Sequence, residues 1–145
     1  MKRRALLAGS LSLALVRLAK ADGKKPTAGV LTLDQYLVVA AILFDETRRA
    51  QDWVGAHPSD VGLASVAWEL ADLRAQLAVR LVAPPAVKQA HMHLLLAMEN
   101  TTASFDATMR GDAKKAAQRM AAARTEEITM QNALDAAKVK LPAVK

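Results

Sequence analysis

Cysteine is missing from all 145 residues, and its absence excludes several kinds of chemistry. Without a thiol, the chain forms no disulfide and no thiolate metal site, and it offers no attachment point for a lipid or a covalently bound haem. Aromatic residues make up only 3% of the chain, which also has few glycines (6) and prolines (5). A fold without cross-links must be held by its aliphatic core, and a chain of this size is long enough to bury one.

The chain also lacks an apolar run long enough to span a bilayer, which takes about 20 residues. The apolar stretch near its start, residues 5–16, follows a basic segment (MKRR) and precedes a small-x-small end (AKA). This pattern is typical of a cleaved export signal. We predict a signal peptide over residues 1-21, a mature chain that begins at Asp22 without a transmembrane segment, and a periplasmic or secreted location. The two adjacent arginines leave the general secretory and twin-arginine routes both open.

The excess of positive charge disappears with that segment. The whole chain has 20 Lys and Arg against 14 Asp and Glu, but five of the basic residues lie in residues 1–21, so the mature chain carries 15 against 14. Residues 22–145 contain neither a basic stripe nor a row of aromatic side chains interleaved with basic ones. We therefore expect no nucleic-acid partner.

Composition and apolar spacing predict an all-α protein. Ala, Leu, Met, Gln and Arg are frequent, and all of them favour helix. We expect a flexible lead-in over residues 22-31, an antiparallel up-down-up-down four-helix bundle over 32-138 and a frayed tail over 139-145. Thr32 begins the first helix, with Gln35 at the position of a capping box.

Glycines and prolines divide the bundle into its helices. Gly55 and Pro58 end the first helix, and Pro84 ends the second, because the residue before a proline is disfavoured in the helical region. Gly111 supplies a left-handed exit from the third helix, and Asp112 caps the fourth. So short a link makes the third and fourth helices antiparallel neighbours.

The apolar spacing assigns one core-facing stripe to each helix. For the second helix this stripe is Leu63, Val66, Leu70, Leu73 and Leu77. Across the bundle we expect a shared core that includes Leu37, Phe44, Leu70, Leu94, Met98, Phe105 and Leu134.

His91 is the one polar residue that lies squarely on a core stripe. Residues two apart on a helix point about 200° away from each other, so His91 faces inward, His93 faces outward, and the two cannot clamp one ion. A buried imidazole needs hydrogen-bond partners. The antiparallel geometry brings Tyr36, Gln131 or Asn132 to the level of His91, and we interpret this residue as a satisfied core histidine.

No pattern in the chain indicates catalysis. Ser65 and Ser104 have no histidine at helical spacing, and the chain has neither a nucleophile elbow nor a glycine-rich loop for phosphate. Glu126 and Glu127 are adjacent, so they diverge on a helix, and we expect both to be solvated. No Glu-x-x-His pair is present, which argues against a di-iron carboxylate bundle. We predict a protein that is not an enzyme, with no metal site and no cofactor.

Residues 83-135 resemble the C-terminal half of exported bacterial alanine-rich helical-bundle proteins of unknown function. The elements that carry the resemblance are Pro84-Pro85, His91, the leucines at 94 to 96, and Gly111-Asp112 before an alanine-rich helix. The resemblance implies a helical hairpin and supplies no activity. Many members are anchored by lipid through a cysteine in the leader, which this chain lacks.

The exported, cysteine-free bundle also resembles, distantly, the periplasmic haem-binding four-helix cytochromes. These proteins bind haem through a Met near the start of the first helix and a His near the end of the fourth. Here the first helix has no Met and the fourth has no His. A carrier of haem or copper would have to use His91 with Met98 or Met130 instead. Because Met98 and Met130 fall on the core stripes, we interpret them as core packing.

The pattern as a whole favours an exported, non-enzymatic helical bundle that acts as a binding or interaction module for an unknown protein or small-molecule partner. Two alternatives stay open. One is the haem- or copper-binding carrier. The other is a periplasmic chaperone-like stress protein, whose mark would be an exposed apolar surface.

Overall fold

The computed structural model describes residues 31–144, and this part of the chain is a four-helix bundle. Its elements are α1 (Leu33–Ala56), α2 (Val61–Arg80), the 3₁₀ helix η1 (Pro85–Val87), α3 (Lys88–Met109) and α4 (Ala113–Ala136). The four α-helices run up, down, up and down, and residues 31–144 contain no strand, as predicted. The predicted signal peptide and nearly all of the predicted lead-in lie outside the described residues.

Short polar side chains set where three of the helices begin. Thr32 Oγ1 accepts a hydrogen bond from the Gln35 backbone, and the Gln35 side chain accepts one from the Thr32 backbone, which completes the predicted capping box. Asp60 caps α2 and Asp112 caps α4, each accepting from the backbone N–H three residues on. The predicted starts at Thr32 and Asp112 are therefore confirmed.

The α3–α4 turn is built on a left-handed glycine, as the sequence predicts. Gly111 has φ 74°. Its N–H donates to Thr108 O at 3.0 Å, and the N–H of Asp112 donates to Ala107 O at 2.9 Å, the two bonds of a Schellman motif. The turn holds the two helices side by side over their whole length.

The tail after α4 differs from the prediction, which had it frayed. α4 ends in a second Schellman motif, with Lys138 at φ 57° and the N–H of Val139 donating to Leu134 O at 3.0 Å. This turn reverses the chain direction and packs Val139 and Leu141 against the core. The burial of these two apolar side chains keeps the tail on the bundle.

Most of the predicted core is buried. Leu37, Leu94, Met98 and Leu134 are buried in one cluster, against which Phe44 packs partly buried. Phe105 is buried in a second cluster, with the alanines of α2, rather than in one shared core. Leu70 is the exception, because its side chain is exposed.

Helix α2 shows why the prediction for Leu70 was wrong. The face of α2 that packs on the bundle consists of alanines: Ala64, Ala67, Ala71 and Ala78. The predicted stripe lies about 100° around the helix from them, and Val66, Leu70 and Leu73 are 58%, 43% and 48% exposed. Small side chains let the α2 backbone approach its neighbours closely. The larger side chains are consequently left on the flanks.

Candidate functional site

An open apolar groove runs between α2 and α3. It has a volume of about 930 Å³. Its apolar lining consists of Trp68, Ala75 and Val79 from α2 and of Met92, Leu95, Leu96 and Ala103 from α3. We call this surface the α2–α3 groove.

The groove exists because α2 sits on its alanine face. With Ala71 and Ala78 in the contact, the α2 backbone lies close to the bundle, and longer side chains on both helices extend past the contact into solvent. Val79, Met92 and Leu96 are 70%, 56% and 39% exposed. Contiguous exposed apolar surface of this kind marks interaction sites in soluble proteins.

The rim of the groove is mainly acidic. Three carboxylates line it, from Asp72, Glu99 and Asp106, against the single guanidinium of Arg80. Asp106 pairs with Arg110 outside the groove at 3.0 Å. Asp72 accepts a hydrogen bond from the neutral Gln76, and the ion pairs found among residues 31–144 involve neither Asp72 nor Glu99. The negative charge of these two residues is therefore available to a ligand.

A second, smaller groove lies on the other flank of α2, against α1. It has a volume of about 520 Å³, and its lining includes Trp53, Val66, Leu70 and Arg74. The Nε and one Nη of Arg74 are buried without a hydrogen-bond partner. Burial lowers the pKa of Arg74, and the nearby carboxylate of Glu46 opposes that effect. Both flanks of α2 thus expose apolar side chains.

His91 is a buried core histidine, and its partner is Tyr36, one of the three residues that the sequence offers. Its Nδ1 lies 3.0 Å from the Tyr36 hydroxyl, and the two rings meet edge to face with centroids 5.6 Å apart. Burial lowers the pKa of His91 and raises that of Tyr36 to about 12, so both side chains are neutral at pH 7. The pair links α1 to α3 across the bundle.

His93 was predicted to face solvent, but its side chain packs against α4. It is half-buried, and its Nδ1 lies 2.7 Å from Glu126 Oε2 of α4. The prediction considered only the direction of the side chain on its own helix. The close α3–α4 packing brings the facing carboxylate over it.

Glu127 corrects another prediction, because it is buried rather than solvated. Its side chain is 4% exposed and accepts a hydrogen bond from Gln51 Nε2 at 2.8 Å. Arg124 and Arg48 lie 3.4 and 3.7 Å from its second oxygen. Gln51 also donates to Thr101 at 2.7 Å, so the cluster joins α1, α3 and α4. The sequence signal that was missed is that Gln51 lies on the core face of α1, three residues before Val54.

The three proposed carrier ligands, His91, Met98 and Met130, lie inside the bundle. Met98 and Met130 are buried there in one apolar cluster, and His91 is buried beside its partner Tyr36. Because Nδ1 of His91 already meets Tyr36, a ligand role for this imidazole would have to use Nε2. Among residues 31–144, no three His, Asp or Glu side chains gather as a metal site would require. Met92 instead lines the α2–α3 groove.

Comparison with known protein families, curated proteins and solved structures finds no match for this chain. The resemblances noted from the sequence therefore rest on the residues quoted for them. Within residues 31–144, none of the helices combines the length and the apolar character that a membrane crossing demands. A proposal for the function therefore rests on the side chains that line the grooves of the bundle.

Proposed function

We propose that this chain is an exported, non-enzymatic binding module that holds an amphipathic helix of a partner protein in the α2–α3 groove. The observation that carries this proposal is the exposure of apolar side chains on both walls of the groove, Val79 of α2 and Met92 and Leu96 of α3, beside the alanine contact of α2. Export rests on the leader-like pattern of residues 1–21.

The shape of the groove favours a helical occupant. Its α2 wall extends from Trp68 to Arg80, which is about 18 Å at 1.5 Å per residue, or between three and four helical turns. A helix that lies along two antiparallel helices places anchors at i, i+3 or i+4, and i+7 on such a surface. Met92 suits this role, because an unbranched thioether side chain adapts to the shape of its partner.

Binding can be tested with the tryptophan already in the groove. In the Trp53→Phe variant, Trp68 is the only tryptophan. Titration with a neutral amphipathic peptide of about 15 residues, long enough to form a helix, should shift the emission of Trp68 and saturate at one peptide per chain. Leu96→Asp should weaken this binding at least about tenfold, because it places a charge in the apolar contact.

Ile128→Asp is the matched control for that substitution. Ile128 is an exposed apolar residue on α4 that does not line the groove, so this variant should bind the peptide as the parent does. Equal binding by the Leu96→Asp variant, or no saturable binding by the parent, would contradict the proposal.

The chaperone-like alternative draws on the same exposed apolar side chains. A chaperone-like protein would bind unfolded chains with little regard to helical pattern. Scrambling the peptide so that its apolar residues no longer share one face separates the two functions. A binding module should lose the scrambled peptide, whereas a chaperone-like protein should retain it.

A further inference from the structure

We infer that the helix recognised by the α2–α3 groove is cationic on the face that meets the rim. This inference rests on the proposed function, because it names the chemistry of the partner for the same groove. The observation behind it is the charge of the lining residues, because the carboxylates of Asp72 and Glu99 lie outside the ion pairs of residues 31–144 and the lining holds the single guanidinium of Arg80.

The imbalance is local to this surface. The predicted mature chain carries 15 basic against 14 acidic residues and is close to neutral. Asp72 and Glu99 are outside the ion pairs found among residues 31–144, whereas Asp45, Glu46, Asp52 and Glu127 of α1 and α4 pair with arginines. Lysine or arginine on a ligand would therefore meet carboxylates that are not already neutralised.

The charges are also ordered along the groove. Because α2 and α3 are antiparallel, Arg80 at the end of α2 lies near the start of α3. Asp72, Glu99 and Asp106 occur further along, toward the other end of the groove. A partner helix that is basic over this acidic stretch pairs with it, whereas an acidic helix is repelled. Repulsion of the wrong partner contributes to specificity as much as attraction of the right one.

The size of the preference for a cationic helix depends on how exposed the rim carboxylates are. Single exposed ion pairs are weak and are screened by salt. Two such pairs over an apolar contact should favour a cationic over a neutral helix by about three- to thirtyfold at low ionic strength. The apolar floor supplies the remaining affinity and is indifferent to salt.

The test uses three peptides with one apolar face and with polar faces of lysine, glutamine or glutamate. Trp68 emission in the Trp53→Phe background again reports binding. We expect the lysine peptide to bind most tightly and the glutamate peptide most weakly, with the difference reduced by added salt. In the Asp72→Asn/Glu99→Gln variant, the lysine and glutamine peptides should bind about equally.

The matched control is Glu69→Gln/Asp135→Asn, which removes two exposed carboxylates that do not line the groove. It should keep the preference of the parent. Equal binding of the lysine and glutamine peptides by the parent would overturn the charge inference and leave the groove as the site. A preference that survives in Asp72→Asn/Glu99→Gln would also overturn it. Failure of all three peptides to bind would instead overturn the proposed function.

Discussion

Substitution of Glu127 tests the polar cluster in the core. Its buried carboxylate accepts a hydrogen bond from Gln51 and faces Arg124 and Arg48. In a Glu127→Ala variant the buried Gln51 amide loses a partner, whereas Arg124 keeps Asp52 at 2.6 Å and Arg48 is half exposed to water. We expect the free energy of unfolding to fall by about 2–3 kcal/mol in urea titrations.

The adjacent Glu126 is the control for that substitution. It is half-buried, and within residues 31–144 its side chain bonds only to His93. Glu126→Ala should cost about 1 kcal/mol or less, as for other partly exposed ion pairs. A comparable loss for both variants would contradict the account of the buried cluster.

His91 predicts how stability depends on pH. Burial lowers its pKa below the ordinary 6.5, so the unfolded chain takes up a proton at a pH where the folded chain does not. The contribution of His91 is therefore complete above pH 6.5 and is lost as the pH falls from 6.5 toward the lower pKa of the folded state. The slope from this single residue is at most about 1.4 kcal/mol per pH unit.

Substitution of the two histidines separates this effect from other titrations. His91→Gln should reduce the pH dependence of urea unfolding between pH 7 and pH 5. His57→Gln, the same substitution at an exposed histidine, is the matched control. An unchanged slope in the His91→Gln variant would show that the buried imidazole is not its source.

At the scale of helices, α2 tests the packing account with a substitution that makes the chain more apolar. Ala71 lies in the contact between α2 and the bundle. Ala71→Leu should therefore destabilise the protein by about 1–3 kcal/mol, through overpacking. Leu73→Ser on the exposed flank should change stability by about 0.5 kcal/mol or less. Thermal unfolding of the two variants should rank them in this order, and the reverse order would restore the leucine stripe as the core face.

The boundaries of the helices were easier to predict than the face that each helix turns toward the core. Thr32, Pro84 and Gly111 mark boundaries by local backbone chemistry, which a sequence displays directly. The inward face of α2 depends on how closely its neighbours approach, which is a property of the assembled bundle. The four-residue and three-residue spacing of Ala64, Ala67 and Ala71 was the available signal, but the larger leucines outweighed it.

The candidate site was predictable only in part for the same reason. The Tyr36–His91 pair followed from helix direction and length, since both residues are level in an up-down bundle. The α2–α3 groove was not predicted. Its position depends on which face of α2 packs against the bundle, and the apolar spacing of the sequence assigned that face wrongly. Glu127 was also missed, since its neighbour in sequence gives no indication of the Gln51 side chain that meets it from α1.

At the scale of the whole molecule, a well-packed core occurs together with a groove whose apolar side chains are exposed. Phe105, Leu94 and Met98 are buried in the interior, while Val79, Met92 and Leu96 remain outside it. A bundle that needed only to fold would gain stability by burying the second set, at about 25 cal/mol per Å² of apolar surface. Their exposure is the reason that we assign binding to this flank of α2.

Amide chemical shifts recorded by NMR during titration with the lysine-faced amphipathic peptide locate the bound helix on the protein. We predict saturable shifts concentrated on residues 68–80 of α2 and 92–106 of α3, with little change over α4 beyond residue 127. Shifts concentrated on the α1–α2 flank or spread evenly over the bundle, or no saturable shift at all, would contradict this prediction.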